Sequence, residues 1–211
     1  MRKIAKEFEN PLDNLFIDGS EKLSPLFKKL KMTPNMITFI SLIFGILAIY
    51  CLYKNHIIAF GIFYLISHFF DCFDGHFARK YKMVSRGGDL FDHIKDAIVF
   101  IGIVIIFIIK FKTCLNWYEW ILIFIIIFMA ALGMAKQLGC QERHYAKTAN
   151  FKSSEKSHTL SLYSKLCKTD DTANEMRSRR WLGCGAFILI TVIVVILTFY
   201  RCKNEDLNIK Y

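Results

Sequence analysis

Little interrupts this chain, and several patterns that assign function early are missing from it. Only three of its 211 residues are proline, and it has no internal repeat or low-complexity tract. That length suits one domain, and the lack of a repeat excludes a stacked-repeat architecture. The seven cysteines (Cys51, Cys72, Cys114, Cys140, Cys167, Cys184 and Cys202) form no Cys-x-x-Cys or Cys/His pattern. A zinc site of ordinary spacing is therefore excluded, and the cysteines read as small buried side chains kept reduced in the cytosol. No basic-flanked short apolar stretch with a small-residue cleavage site opens the chain, so no cleavable leader is expected. The sequence places no histidine beside Cys72 or Cys140, which leaves thiol catalysis without support. The formal charge of +10 comes with no nucleic-acid recognition motif. Lys and Arg also gather in cytoplasmic loops and beside anionic lipid, so this charge requires no nucleic acid.

What the chain has is apolar residues, 54% of the total, gathered in long runs. Runs of this kind mark membrane spans rather than a soluble core. They cover about 36–53, 57–70, 97–109, 117–132 and 181–200, with Trp117, Trp120 and Trp181 at span ends, where indoles favour the interface. Before them, Leu23, Leu26, Phe27 and Leu30 recur at helical spacing between Lys22, Lys28, Lys29 and Lys31. This pattern predicts an amphipathic helix at the membrane surface. Thr33 and Pro34 then supply an N-cap and a first-turn proline.

The expected fold is an all-α polytopic membrane protein, a bundle of five to six transmembrane helices behind an N-terminal interfacial helix. Residues 1–35 form the interfacial segment, 36–200 the transmembrane catalytic domain and 201–211 a tail. Segment 139–180 is expected to be a polar loop with some helix, and it has room for a weak sixth span or a re-entrant helix around 160–167. The basic residues put the N-terminus, the turn with Arg79, Lys80, Lys82 and Arg86, and segment 139–180 on the cytosolic side. The default membrane in a eukaryotic cell is the endoplasmic reticulum.

The chemistry is concentrated in one stretch: Asp71, Asp74 and Gly75, then Ala78 and Arg79, then Gly88, Asp92 and Asp96. The second and third apolar runs hold about 14 and 13 residues, roughly 20 Å of helix against a hydrocarbon core of about 30 Å. The segments bearing the aspartates must supply the missing turns. Spacings of i,i+3 for Asp71 and Asp74, and i,i+4 for Asp92 and Asp96, put each pair on one helical face. The two helices follow one another across a short turn, so their acidic faces can meet. Four carboxylates at that depth need compensation, and oxygen donors suit a hard cation, Mg²⁺ or Mn²⁺. The plainer alternative is an acidic turn outside the membrane, neutralised by Arg79, Lys80, Arg86 and Lys95. Gly75 and Gly88, one turn from the carboxylates, suit close approach by a phosphate, and Arg79 suits a phosphate clamp.

The pattern Asp-x2-Asp-Gly-x2-Ala-Arg-x8-Gly-x3-Asp-x3-Asp over residues 71–96 resembles, without a mismatch, the signature of the CDP-alcohol phosphotransferases. The Thr33-Pro34-Asn35 start of the first span resembles that family too. The resemblance implies a helical membrane enzyme, often a homodimer and usually of six spans. Such an enzyme moves a phosphatidyl or phosphoamino-alcohol group from a CDP-linked donor to an alcohol in phospholipid biosynthesis and releases CMP. It implies Asp71, Asp74 and Asp92 as metal ligands, and Asp96 as general base and ligand of a second metal. Pro34, Asn35, Gly75, Ala78, Arg79, Ser85 and Gly88 are implied contacts of the CDP-linked donor. Two departures stand out. Five clear spans are visible, and Ala97 follows Asp96 where inositol-using members usually carry Arg. The sequence around His76 and Tyr81 resembles inositol-type members, and Leu90-Phe91-Asp92-His93 resembles choline and ethanolamine enzymes, which leaves the acceptor open. His76 and His93 occupy variable positions and read as pocket or surface residues. The rival readings are a divalent-cation carrier, whose acids would have to line a path through the bilayer, and a scaffold that has lost activity.

Overall fold

A computed structural model describes residues 2–148, 163–167 and 171–208, and among these it is helical, with no strand. Helix α1 spans Pro11–Lys29, α2 Pro34–Tyr53, α3 Ile57–Lys80, α4 Arg86–Phe111 and α5 Trp117–Thr148. A short α6, Thr172–Arg179, precedes α7, Cys184–Asn208. Four of the apolar runs lie wholly in helices, and the fifth, 181–200, enters α7 after a 3₁₀ turn at Arg180–Leu182. Four stretches among the described residues are long and apolar enough to cross a membrane: Pro34–Tyr53, Ile57–Lys80, Trp117–Tyr145 and Thr172–Asn204. Helix α4 has 26 residues, but Asp92, Lys95, Asp96 and Lys110 set it apart from those four. The chain is a polytopic helical membrane protein.

Helix α2 is the central element and packs against both α3 and α4, which make little backbone contact with each other. Small residues allow this. The Ser41 hydroxyl donates to the Ser67 carbonyl at 2.8 Å, and the Ser67 hydroxyl donates to the Ser41 carbonyl at 2.9 Å, pinning α2 to α3. A Cβ on Gly45 would lie 2.5 Å from Val99 Cγ2, and one on Gly102 would lie 2.5 Å from Ile49 Cδ1, so two glycines set the approach of α2 and α4. Close packing of small residues and hydroxyls joins helices where water supplies no hydrophobic drive. Away from the acidic end, Leu52, Phe60, Tyr64, Ile103, Phe107 and Val195 form the apolar core.

The helix starts behave as their sequences direct. Thr33 accepts from the Met36 amide with Pro34 in the first turn, and Ser85 accepts from the Gly88 amide at 3.1 Å. Asn10 caps α1 ahead of Pro11 in the same way.

Helix α1 lies where the amphipathic pattern places it, and three other expectations are corrected. The inward face of α1 is Asp13, Ile17, Ser20 and Ser24, while Leu26 and Leu30 are exposed. Leu23 and Phe27 alone of the expected apolar stripe pack inward, against Phe73 and Phe77. Helix α1 meets α3 both through polar pairs, Asp13 with His68 and Glu21 with His76, and through rings, Phe16 on Phe69 and Phe27 on Phe73. Segment 139–180 is not a loop from its start, because α5 continues to Thr148. Gln137 Nε2 donates to the Phe8 carbonyl at 3.0 Å, and Lys3 pairs with Glu142 at 2.6 Å, so the N-terminal segment holds that extension. Residues 163–166 form one 3₁₀ turn, while 149–162 and 168–170, with the rest of the expected re-entrant segment, lie outside the described residues. The expected tail begins inside α7, which runs to Asn208. Lastly, four cysteines are paired, Cys114 with Cys202 and Cys140 with Cys167, leaving Cys51, Cys72 and Cys184 free. The first pair, 88 residues apart, meets because the α4–α5 turn and the end of α7 lie at the same end of the bundle.

Candidate active site

The last turns of α3 and the first turns of α4 carry the carboxylates. Both helices are long enough for this: 24 and 26 residues give roughly 36 and 39 Å at about 1.5 Å per residue. The helices therefore run on through the aspartates, as the short apolar runs require. Asp71, Asp74 and Asp92 each offer an oxygen within 4.8 Å of the others. Asp92, His93 and Asp96 form a second such group one turn further along α4. His93 Nε2 also lies 3.6 Å from Asp89.

Lys95 stands between the two helices. Its ammonium pairs with Asp71, with Asp92 at 3.1 Å and with Asp96 at 2.8 Å, and its side chain is 1% exposed. Asp96 is the most open of these three partners, at 56% against 23% for Asp71 and 28% for Asp92. The neutralising lysine of the acidic-turn alternative is thus real, but it sits inside the bundle rather than in a solvated loop.

One ammonium does not balance four carboxylates. Asp74 is buried, and its Oδ2 has no hydrogen-bond partner among the described residues. An oxygen left bare in a buried place is costly unless something cationic reaches it. Three converging carboxylates with hard oxygen donors fit a divalent cation such as Mg²⁺ or Mn²⁺.

The residues implied as donor contacts surround this centre. Arg79 folds back over Gly75, with Nη1 3.2 Å from where a Cβ would stand, so glycine leaves room for the guanidinium. Asn35, at the start of α2, reaches Gly88: its Oδ1 lies 3.0 Å from where a Cβ would stand, as does Ser85 Oγ. The starts of α2 and α4 therefore come together at Gly88, and Pro34 precedes Asn35 in that first turn. Ala78 is half-buried one turn beyond Asp74. Beside Asn35 an apolar hollow of about 380 Å³ is lined by Met32, Met36, Phe39, Ile40 and Phe91.

Sequence reasoning missed the groups that support Asp71 from behind. His68, one turn before it on α3, points Nε2 at Asp13 at 2.7 Å and has Nδ1 3.8 Å from Asp71 Oδ2. Asp13 also accepts from the Gly185 amide at 3.1 Å, tying α1 to the start of α7. The spacing of His68 to Asp71, i,i+3, was a visible hint, but the partner 55 residues earlier was not. His76 is likewise committed, with Nε2 2.6 Å from Glu21, to which Lys80 also binds. The Lys80 ammonium holds the Glu21 carboxyl below its ordinary range.

Carboxylates gathered at one end of a membrane helix bundle, with an arginine and close-approach glycines around them, offer oxygen donors suited to a hard cation beside a side chain suited to phosphate. The chain belongs to the CDP-alcohol phosphatidyltransferase family, whose profile matches residues 31–200. It is 38% identical over 76 residues to a CDP-diacylglycerol–inositol 3-phosphatidyltransferase of Candida albicans, covering 33% of each chain. It is 30% identical over 107 residues to an archaetidylinositol phosphate synthase of Pyrococcus horikoshii, covering 49% of this chain and 53% of that one. The alignments thus span about a third to a half of these curated relatives. No solved structure matches the chain.

Proposed function

We propose that this protein transfers a phosphatidyl group from a CDP-linked lipid to an alcohol and releases CMP. The observation that carries the proposal is the convergence of Asp71 and Asp74 from α3 with Asp92 from α4, within 4.8 Å, in a chain of this family. Asp71, Asp74 and Asp92 would hold the divalent cation. When bound, that ion supplies neutralisation of the charge that develops on the diphosphate.

The chain's own residues do the rest. Arg79, laid over Gly75, anchors a phosphate as a bidentate donor. Asn35 and the Ser85–Gly88 turn hold the nucleotide side of the donor. Asp96, the most open of the lysine's three carboxylate partners, takes the proton of the acceptor hydroxyl. The acceptor oxygen bonds to phosphorus, the bond to CMP breaks, and CMP leaves with its phosphate. The apolar hollow beside Asn35 suits an acyl chain of a lipid substrate. Both relatives carry inositol in their names, which favours an inositol-type acceptor.

The centre faces the cytosol in this proposal, because the basic segments lie at its end of the bundle, and in a eukaryotic cell the membrane is the endoplasmic reticulum. A homodimer belongs to the same proposal, on the family resemblance alone. A cation carrier fits less well, because its acids would line a path, whereas here they gather at one end around Lys95. The test is detergent-purified protein with a panel of CDP-donors and alcohols, reading CMP and lipid product. CDP-diacylglycerol with an inositol-type alcohol should give both, EDTA should abolish them, and Mg²⁺ or Mn²⁺ should restore them. A folded protein that releases no CMP from any pair rejects the proposal.

A further inference from the structure

Lys95 is not a surface lysine resting on an acid. Its stem is buried, and its ammonium lies among Asp71 of α3, Asp92 and Asp96 of its own helix, and Ser41 Oγ of α2 at 3.4 Å. The Ser41 hydroxyl proton is already committed to the Ser67 carbonyl, so the oxygen faces Lys95 as an acceptor. Three helices thus fix the position of one positive charge. That position lies against one oxygen each of Asp71, Asp92 and Asp96, where an ion shared with Asp96 would have to sit. The other group, Asp71, Asp74 and Asp92, is left with the bare Asp74 Oδ2. Paired catalytic metal ions stand about 3.5–4 Å apart, and a fixed ammonium in one of the two places excludes the second ion by occupancy and by repulsion.

We propose that Lys95 is a built-in counter-ion that replaces a second metal, so that this protein binds a single divalent cation, on Asp71, Asp74 and Asp92. This rests on the transferase reading of the same centre. It also assigns Asp96 to the lysine rather than to a metal, and makes Lys95 a positioning residue for the Asp96 carboxylate.

The test is Mn²⁺ stoichiometry on the purified full chain, by equilibrium dialysis with electron paramagnetic resonance of the bound ion, and it requires no turnover. The wild type should bind one Mn²⁺ per chain, with the six-line spectrum of an isolated ion. Lys95→Ala, which empties the ammonium position, should bind two and show the broadened spectrum of a spin-coupled pair. Two ions bound by the wild type would overturn the inference while leaving the transferase reading intact. A Lys95→Ala variant that folds and still binds one would overturn it too. No Mn²⁺ on either protein would overturn both the inference and the metal assignment beneath it. The wild-type count decides the matter even where the variant fails to fold.

Discussion

Replacing Asp13 probes the junction that holds the acidic end of α3 in place. Its buried carboxylate receives His68 Nε2 at 2.7 Å on one oxygen and the Gly185 amide at 3.1 Å on the other. Asp13→Ala removes both acceptors and strands two buried groups, each costing about 1–3 kcal/mol. The sum is roughly 2–6 kcal/mol. At about 2–4 °C per kcal/mol for a domain of this size, the unfolding midpoint should fall by roughly 10 °C. Asp13→Asn keeps an oxygen for Gly185 and turns an amide toward His68, so it loses charge but not both bonds. Its midpoint should fall by about half as much or less. The assay is thermal unfolding in a mild detergent, followed by intrinsic fluorescence or by cysteine exposure. An alanine variant within about 2 °C of wild type would refute the claim that this junction is a structural tie. Equal losses for alanine and asparagine would show that charge, not hydrogen bonding, is what α1 contributes.

Three further outcomes are expected. Gly45→Ala pushes a methyl to 2.5 Å from Val99 Cγ2, so it should destabilise by about 1–3 kcal/mol, and Val99→Ala in the same chain should relieve most of that loss; unchanged unfolding of the single variant would contradict the close approach. Burial first, and the nearby Asp13 second, hold the Glu9 carboxyl above its ordinary 4.5. The folded state therefore resists losing that proton, and stability should fall as pH rises from about that value; Glu9→Gln should flatten this part of the pH profile, and an unaltered profile would count against it. Arg86→Cys should label from the cytosolic side and Trp117→Cys from the opposite side, because α4 separates them; the reverse pattern would invert the topology.

The fold was legible wherever a local period decided it. Four of the apolar runs are wholly helical, Thr33 and Pro34 start α2, and Asp71, Asp74 and Asp92 share one locus because i,i+3 spacing at the ends of joined helices puts them there. What escaped was decided by partners distant in sequence. Lys95 falls at a variable place in the signature, and nothing local shows that Ser41 and Asp71 will enclose it. Leu23, Leu26, Phe27 and Leu30 mark an amphipathic α1, but nothing local shows that Asp13 on the same helix will meet His68 and the Gly185 amide. The pairing of Cys114 with Cys202 depends on helices ending at the same level, which spacing does not encode.

The central claim is that the carboxylates of α3 and α4 perform the transfer, and Asp96→Asn tests it most directly. The amide keeps the shape and one acceptor oxygen toward Lys95 but cannot take a proton. With donor and acceptor saturating, CMP release should fall by about 10²–10⁴-fold, the usual worth of a general base. Binding of the CDP-linked donor should change little, since Asp71, Asp74 and Asp92 are untouched. Near wild-type CMP release from Asp96→Asn would contradict the account.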